Sequence, residues 1–474
     1  MRILLLVGLG VAMMVMLGGC SGADGKAVYP PSPPETKMYD TDNLNDESAW
    51  TTTNAHDPSI IKTDDGTYYV VSTDVKVGGE PKPGLMVRKS KDLIRWEWVG
   101  HAFDGVPDAA KAWTGGPTLW APDVHKFGEQ YKLYYASSTF GSNTSYIGLA
   151  TSASMEGPWR DEGEVIKTGA GDGPNAIDPQ IAIDAAGDPW FVYGSFFDGI
   201  HIAPLDLATG KLREPGFGRR IAARNPQTAS GAVEGPYIVY KPAFKKYYLF
   251  VSYDSLSSDY NVRVGRADAI DGPYVDFNGR ELTDTAYDPS FDVGTKILGG
   301  YKFGESEGWT APGHNSVLQD GDDDYIVHHA RPEGDPSWMY LHVRKLLWTK
   351  DGWPVVSPER YAGERVQRIP AVDIPGDWER LVQPRWIDGQ AESEPLRLLK
   401  GGKIDAADGK DSWSFDGEHT LTLTWSGEDG ADTVETVLLL PSWDWELNRP
   451  TLVFTGLDGT GQAVWGKKLN DPAR

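Results

Sequence analysis

Residues 175–200, NAIDPQIAIDAAGDPWFVYGSFFDGI, hold both the repeating unit of the fold and a candidate catalytic carboxylate. Asp178 precedes Pro179 and opens the alternating run Gln180-Ile181-Ala182-Ile183, the pattern of a strand with one buried face. Ala185-Ala186-Gly187-Asp188 turns the chain, and residues 190–195 return as a second, aromatic-rich strand. The result is a hairpin whose entry end carries an acid.

The same order of polar residue, proline, short strand, polar turn and aromatic strand recurs at residues 56–72, 121–137, 233–253 and 311–329. The heads are Asp57, Asp123, Asp178, Glu234 and His314, at intervals of roughly 55–80 residues. Each copy is followed by a further expected strand pair, such as Tyr146-Ile147-Gly148-Leu149-Ala150 with Gly157-Pro158-Trp159, and Asn261-Val262-Arg263-Val264-Gly265 with Gly272-Pro273-Tyr274. Five units of about four strands predict an all-β protein built on a five-bladed β-propeller, because radial repetition buries one face of every sheet and protects its edges. A large β-sandwich is the alternative, but it does not explain why a polar-Pro signal heads each unit.

Outside this repeat the texture changes. Residues 1–20 have one early Arg and an apolar run too short for a full membrane span, the pattern of a signal peptide. The run ends Leu17-Gly18-Gly19-Cys20, which resembles the lipobox of bacterial lipoproteins and implies lipidation at Cys20; an ordinary secretory signal is the alternative. Cys20 is the one cysteine in the chain, so no intramolecular disulfide forms. Residues 21–48, with Pro30-Pro31-Ser32-Pro33-Pro34, read as a Pro-rich linker, an extended spacer that holds the folded part off the membrane. The propeller is expected over residues 49–368, and a small C-terminal all-β accessory domain, sandwich or barrel-like, over residues 377–474. Within the latter, Trp443-Asp444-Trp445-Glu446 reads as a turn with a packed aromatic in preference to a sugar platform.

Charge narrows the partners. Of 474 residues, 45 are Lys or Arg and 68 are Asp or Glu, a net charge of −23 that disfavours nucleic acid and polyanionic substrates. The 18 tryptophans suit stacking on sugars, although propeller blades also bury Trp as ordinary core.

In a propeller the innermost strands start at one rim of a central channel, so Asp57, Asp178 and Glu234 converge there despite their distance in sequence. Three carboxylates in one funnel repel one another and separate their proton affinities, so that one stays a base while another keeps its proton. Such a set fits hydrolysis of a glycosidic bond. A single Asp before Pro is usually only a turn residue; the joint placement is what points to chemistry.

The segments Asn54-Ala55-His56-Asp57-Pro58-Ser59, Leu119-Trp120-Ala121-Pro122-Asp123-Val124, Asn175-Ala176-Ile177-Asp178-Pro179, Tyr193-Gly194-Ser195-Phe196-Phe197-Asp198-Gly199-Ile200, Val233-Glu234-Gly235-Pro236-Tyr237 and Gly313-His314-Asn315-Ser316 resemble glycoside hydrolase family 43, most closely its endo-α-1,5-L-arabinanase branch. The resemblance implies a five-bladed propeller and hydrolysis of arabinan with inversion. By the same resemblance Asp57 matches the general base, Glu234 the general acid, and Asp178 the carboxylate that orients the acid. Trp120 would stack on a sugar ring, Asn175 and Ser195 would line the groove, and His56 would sit beside the base. His314 resembles a histidine that holds a cation, usually calcium, through a mostly water-filled shell; on its own a single His is a poor calcium site. Strand alternation lets only one of His328 and His329 face the channel, and Arg331 reaches either the groove or a surface ion pair. Residues 284–308 read as an insertion at one end of the cleft.

The expected protein is thus a monomeric, lipid-anchored glycosidase of the bacterial cell envelope, outward-facing or periplasmic, acting on internal bonds of arabinan. The alternatives are an exo-acting α-L-arabinofuranosidase or β-xylosidase, a non-catalytic glycan-binding lipoprotein, and a protein-interaction platform.

Overall fold

A computed structural model describes residues 26–288, 292–387, 389–406, 409–427 and 430–469. Cys20 and the apolar leader lie outside them. Among the described residues no helix is long and apolar enough to cross a membrane.

Five antiparallel sheets follow one another along the chain. Blade one comprises Ser59–Lys62, Tyr68–Ser72, Met86–Ser90 and Trp96–His101; blade two comprises Trp120–Phe127, Gln130–Ser137, Ser145–Ser152 and Arg160–Thr168. Blade three begins with Gln180–Ile183, Pro189–Tyr193 and Ile200–Asp206, and both Lys211–Leu212 and Arg219–Ala222 pair with the last of these. Blade four is Val233–Lys241, Lys246–Tyr253, Asn261–Ala267 and Thr295–Leu298. Blade five has Trp309–Asp320 innermost, then Asp323–Pro332, Tyr340–Trp348 and Pro354–Val356, with Tyr301–Lys302 added at the start of the innermost strand. Each innermost strand touches the next, and the fifth touches the first, which closes the propeller.

Polar staples lock neighbouring blades at their heads. Asp123 accepts from Ser59 Oγ (3.0 Å) in blade one and from the Ile181 N–H (2.7 Å) in blade three, so this head residue is a structural tie across three blades. Gln180 Oε1 accepts from the Ile238 N–H (3.2 Å), and Ser316 Oγ donates to the Pro58 carbonyl (2.7 Å). A buried bond to a charged acceptor stabilises by about 1.5–3 kcal/mol, whereas an unmet amide costs as much. The ring also closes through main chain: Asn54 N–H donates to Met339 O and Leu341 N–H to Thr52 O.

Several expectations change. Gly157-Pro158-Trp159 and Gly272-Pro273-Tyr274 lie outside any strand, with Gly157 at φ 83° and Gly272 at φ 84°, a left-handed geometry that breaks a strand. The fourth strands come later. Residues 284–308 supply the closing strand of blade four and the first of blade five, so their length serves the sheets.

Residues 26–50 are not an extended spacer but a strap across both domains. Val28 exchanges hydrogen bonds with the Gln367 side chain (2.9 and 2.8 Å), and Ala27 and Tyr29 pack on the core of the C-terminal domain. Farther along, Tyr39 N–H donates to Tyr340 Oη (2.8 Å), Tyr39 Oη donates to Glu307 (2.7 Å), and its ring meets Trp338 edge-on at 5.8 Å. Trp50 is buried against Trp98 of blade one. Proline content signalled extension correctly, but the interleaved aromatics give the strap apolar surface to bury.

The C-terminal domain is an eight-stranded closed barrel from Gly376–Val382 to Ala463–Lys468. It fuses with blade five: Ala391–Glu392 pairs with Tyr301–Lys302, and Leu381, Leu440, Val453 and Trp465 share one apolar cluster with Tyr301, Trp309 and Val355. At this interface Lys467 Nζ lies 2.5 Å from Glu359, 3.2 Å from Asp444 and 3.5 Å from Glu446. Trp443 is buried, and Trp445 Nε1 donates to the Arg360 carbonyl (2.7 Å), so this stretch is interface and not a sugar platform.

Candidate active site

Asp57, Asp178 and His314 all have positive φ (50°, 57° and 46°). Backbone strain of this kind gathers where side chains must be aimed. Here three blade heads leave regular strand geometry and bring their side chains together in the buried channel mouth.

Asp57 is held on both oxygens. Oδ1 lies 2.7 Å from His56 Nδ1, 3.1 Å from His314 Nδ1 and 3.8 Å from His329 Nδ1, while Oδ2 accepts from Thr73 Oγ1 at 2.6 Å. Burial alone pushes this carboxyl up, but His56 and His314 outweigh it and hold it well below the usual carboxylate range. Asp57 is therefore ionised.

Asp178 behaves oppositely. It accepts the Gly235 N–H at 3.0 Å, and burial, reinforced by the charges of Glu234 and Asp57 and opposed by His314, pushes it up to about 7. Gly235 sits at φ 59°, where a Cβ would come within 3.0 Å of the His314 ring, so the bare backbone lets blade four approach the histidine. His314 itself is raised to about 9, since Asp57, Asp178 and Glu234 outweigh the cost of burying its charge.

Glu234, half-buried, accepts from Ser195 Oγ (2.8 Å) on one oxygen and from Tyr260 Oη (2.7 Å) on the other. Tyr260 was not singled out by its sequence. Its ring stacks on His329 at 5.8 Å, and His329 stacks on His56 at 3.7 Å, so a column of three rings runs from the Glu234 side to the Asp57 side. Gly313 makes room, because a Cβ there would fall 2.1 Å from the Tyr260 ring.

The other predicted residues divide. Ser195 reaches Glu234. Trp120 is half-exposed, with Nε1 donating to Thr118 Oγ1 (3.0 Å) and its ring edge-on to exposed Phe140 at 5.9 Å. Asn175 is buried, its Oδ1 accepting from Ser145 (2.6 Å), so that oxygen is engaged by blade two. Among the described residues Arg331 makes no surface ion pair: Nε donates to Leu256 O (2.8 Å), Nη1 to Pro336 O (2.7 Å), and Nη2 lies 3.4 Å from His56 Nε2. His328 turns away from Asp57 to Arg344 (3.2 Å), and burial followed by that cation lowers it to about 3. His329 alone of the pair joins the cluster.

Two features bear on a cation. His56, Asp57 and His329 offer ligand atoms within 4.8 Å of one another, and Asn315, next to His314, has both amide atoms buried without a hydrogen-bond partner among the described residues. The His314 imidazole, with the Asn315 amide next to it and the Asp57 carboxylate 3.1 Å away, fits a hydrated hard cation with water completing the shell.

A carboxylate held ionised, a second carboxyl kept protonated towards neutrality and a third with two hydroxyl donors form an acid–base set for glycosidic cleavage. Known proteins agree. The family described as "Glycosyl hydrolases family 43" matches residues 51–354, and "C-terminal lipocalin-like domain" matches residues 358–466. The extracellular endo-alpha-(1->5)-L-arabinanase of Thermotoga petrophila is 32% identical over 88% of this chain and 94% of its own. Extracellular endo-alpha-(1->5)-L-arabinanase 2 of Bacillus subtilis is 31% identical over 87% and 92%. The crystal structure of the Thermotoga petrophila RKU-1 endo-1,5-alpha-L-arabinanase superposes with a TM-score of 0.79 at 32% identity, covering 88% of this chain and 99% of that one. A Cellvibrio cellulosa alpha-L-arabinanase complexed with arabinohexaose gives 0.56 at 30% identity, over 65% and 96%.

Proposed function

We propose, for a chain that belongs to glycosyl hydrolases family 43, that it is an endo-α-1,5-L-arabinanase hydrolysing internal bonds of arabinan with inversion. The observation that carries this reading is the convergence of three carboxyls from three blade heads on one channel mouth: Asp57 tied to Thr73, His56 and His314, Asp178 to the Gly235 N–H, and Glu234 to Ser195 and Tyr260.

Glu234 is the general acid. It protonates the glycosidic oxygen as the bond breaks, and Tyr260 and Ser195 stabilise the carboxylate left behind. Asp57 is the general base. Its Oδ2 has a lone pair beyond the one given to Thr73, enough to take a proton from water. Inversion requires the water between base and sugar, hence carboxyls roughly 6.5–9.5 Å apart. Asp178 places a neutral carboxyl beside Glu234 and fixes the bulge at Gly235. Trp120 offers a ring face to the sugar, and Asn175 braces the groove wall from within. A neutral polysaccharide suits a chain of net charge −23.

His314 would give up its proton to hold a calcium ion, with Asn315 beside it and water completing most of the shell. The ion would add positive charge near the carboxylates and favour their ionised forms. We further read Cys20 as the lipid attachment point of a monomeric, outward-facing envelope protein; the relatives' names describe them as extracellular.

The test is product size. Incubation with linear arabinan, followed over the first few per cent of conversion, is expected to give a ladder of oligosaccharides that Glu234→Ala abolishes. Monosaccharide alone would replace this reading with an exo-acting one, and binding without turnover would replace it with a glycan-binding one.

A further inference from the structure

Blade one ends its second strand, Tyr68–Ser72, with the dipeptide Thr73-Asp74, and both side chains are buried. Neither residue carries a motif. Thr73 Oγ1 donates to Asp57 Oδ2 (2.6 Å) and accepts the Ala121 N–H (2.7 Å). Thr73 N–H donates to the His56 carbonyl (3.0 Å). Asp74 Oδ2 accepts the N–H of Leu119 (2.8 Å), and Asp74 N–H donates to the Leu119 carbonyl (3.1 Å). The same carboxylate accepts from Gly84 (2.9 Å) and Leu85 (2.6 Å), which ties down the following loop.

Trp120 is thus gripped on both sides, through Leu119 by Asp74 and through Ala121 by Thr73. Ala121 is at φ 36°, a conformation an L-residue keeps only when its surroundings impose it. The hydroxyl that holds this amide is also the one that donates to Asp57. We propose that Thr73 and Asp74 form a staple that fixes the sugar-stacking residue Trp120 relative to the base Asp57, with Thr73 as the positioning residue for both. This inference rests on the assignment of Asp57 as the base.

A hydroxyl that merely packed would be replaceable by a methyl group. Valine keeps the shape of threonine but neither donates nor accepts, whereas serine keeps both bonds. Kinetics on linear arabinan should therefore separate the two roles. Thr73→Val is expected to lower kcat/KM by about 10- to 100-fold, the loss of a hydrogen bond to a charged group, with kcat reduced and KM raised together. Thr73→Ser should recover activity to within about threefold of the parent. In a Trp120→Ala background the KM effect of Thr73→Val should vanish while its kcat effect persists, because the platform it aligns is gone. Asp74→Asn, which turns one acceptor into a donor facing backbone N–H groups, should raise KM with a smaller change in kcat.

Melting temperatures accompany each variant. Thr73→Val with unchanged kinetics, or Thr73→Ser as impaired as Thr73→Val at a parental melting temperature, would overturn the staple. An Asp57→Ala protein that retains full turnover would overturn the base assignment and the staple with it. An inactive Asp57→Ala beside an unaffected Thr73→Val would overturn the staple alone.

Discussion

Glu446 in the C-terminal barrel accepts the indole N–H of Trp309 at 3.0 Å, and Trp309 opens the innermost strand of blade five, which farther along presents His314 to Asp57. The barrel is thereby mechanically continuous with the catalytic strand. Glu446 also faces Lys467 and Arg360, and although burial would raise it, those two cations hold it down at about 2. Glu446→Ala leaves buried cations short of a partner and should cost about 3–5 kcal/mol of stability. Denaturant unfolding measures this, and turnover should fall in parallel; Glu446→Gln, which keeps an acceptor for Trp309, should be milder.

The assignment of Glu234 makes a chemical prediction. Glu234→Gln removes the proton needed by a poor leaving group, so hydrolysis of arabinan should fall by at least about 100-fold. An aryl arabinofuranoside with an acidic phenol needs no such help, and its cleavage should fall far less. Equal losses on both substrates would remove Glu234 from the acid's role.

Asp178 predicts an alkaline limb. Its proton affinity is raised, so the protonated form persists to about 7 and is lost above it. Above this pH Asp178 is ionised, and the channel mouth has lost the neutral carboxyl on which the acid–base set depends. The kcat/KM profile should fall about tenfold per pH unit beyond about pH 7. In Asp178→Asn the titrating carboxyl is gone, and the descending limb near pH 7 should be lost.

Chelation tests the cation. Treatment with a strong chelator is expected to lower turnover and melting temperature, and added calcium to restore both. His314→Gln should lose the response to calcium. Its amide also gives up the ring whose Nδ1 lies 3.1 Å from Asp57, so activity of this variant should stay low with or without the ion.

Much of this was readable because blade heads combine a polar residue with proline at a repeated place in each unit, and the channel does the convergence. Asp57, Asp178, Glu234 and His314 stand at such heads. Thr73 and Tyr260 do not: one follows an ordinary strand, the other ends a loop, and only strand pairing within blades one and four brings their hydroxyls onto Asp57 and Glu234. Asp123 shows the reverse case, a head residue whose carboxylate is consumed by inter-blade bonds. The fused barrel was hidden for another reason. Its contacts with blade five join residues far apart in sequence, and a short pair such as Ala391–Glu392 has no pattern of its own.

The closure between residues 52–54 and 339–341 also sets an order of events during synthesis. The amino-terminal half of the latch leaves the ribosome first, and its partner in blade five emerges only when nearly the whole propeller has been made. Until then blades one to four form an open arc with two unprotected ends, and such unclosed intermediates are prone to associate. A nascent chain arrested before Leu341 should therefore occupy chaperones or aggregate, and one extended past it should become protease-resistant in a single step.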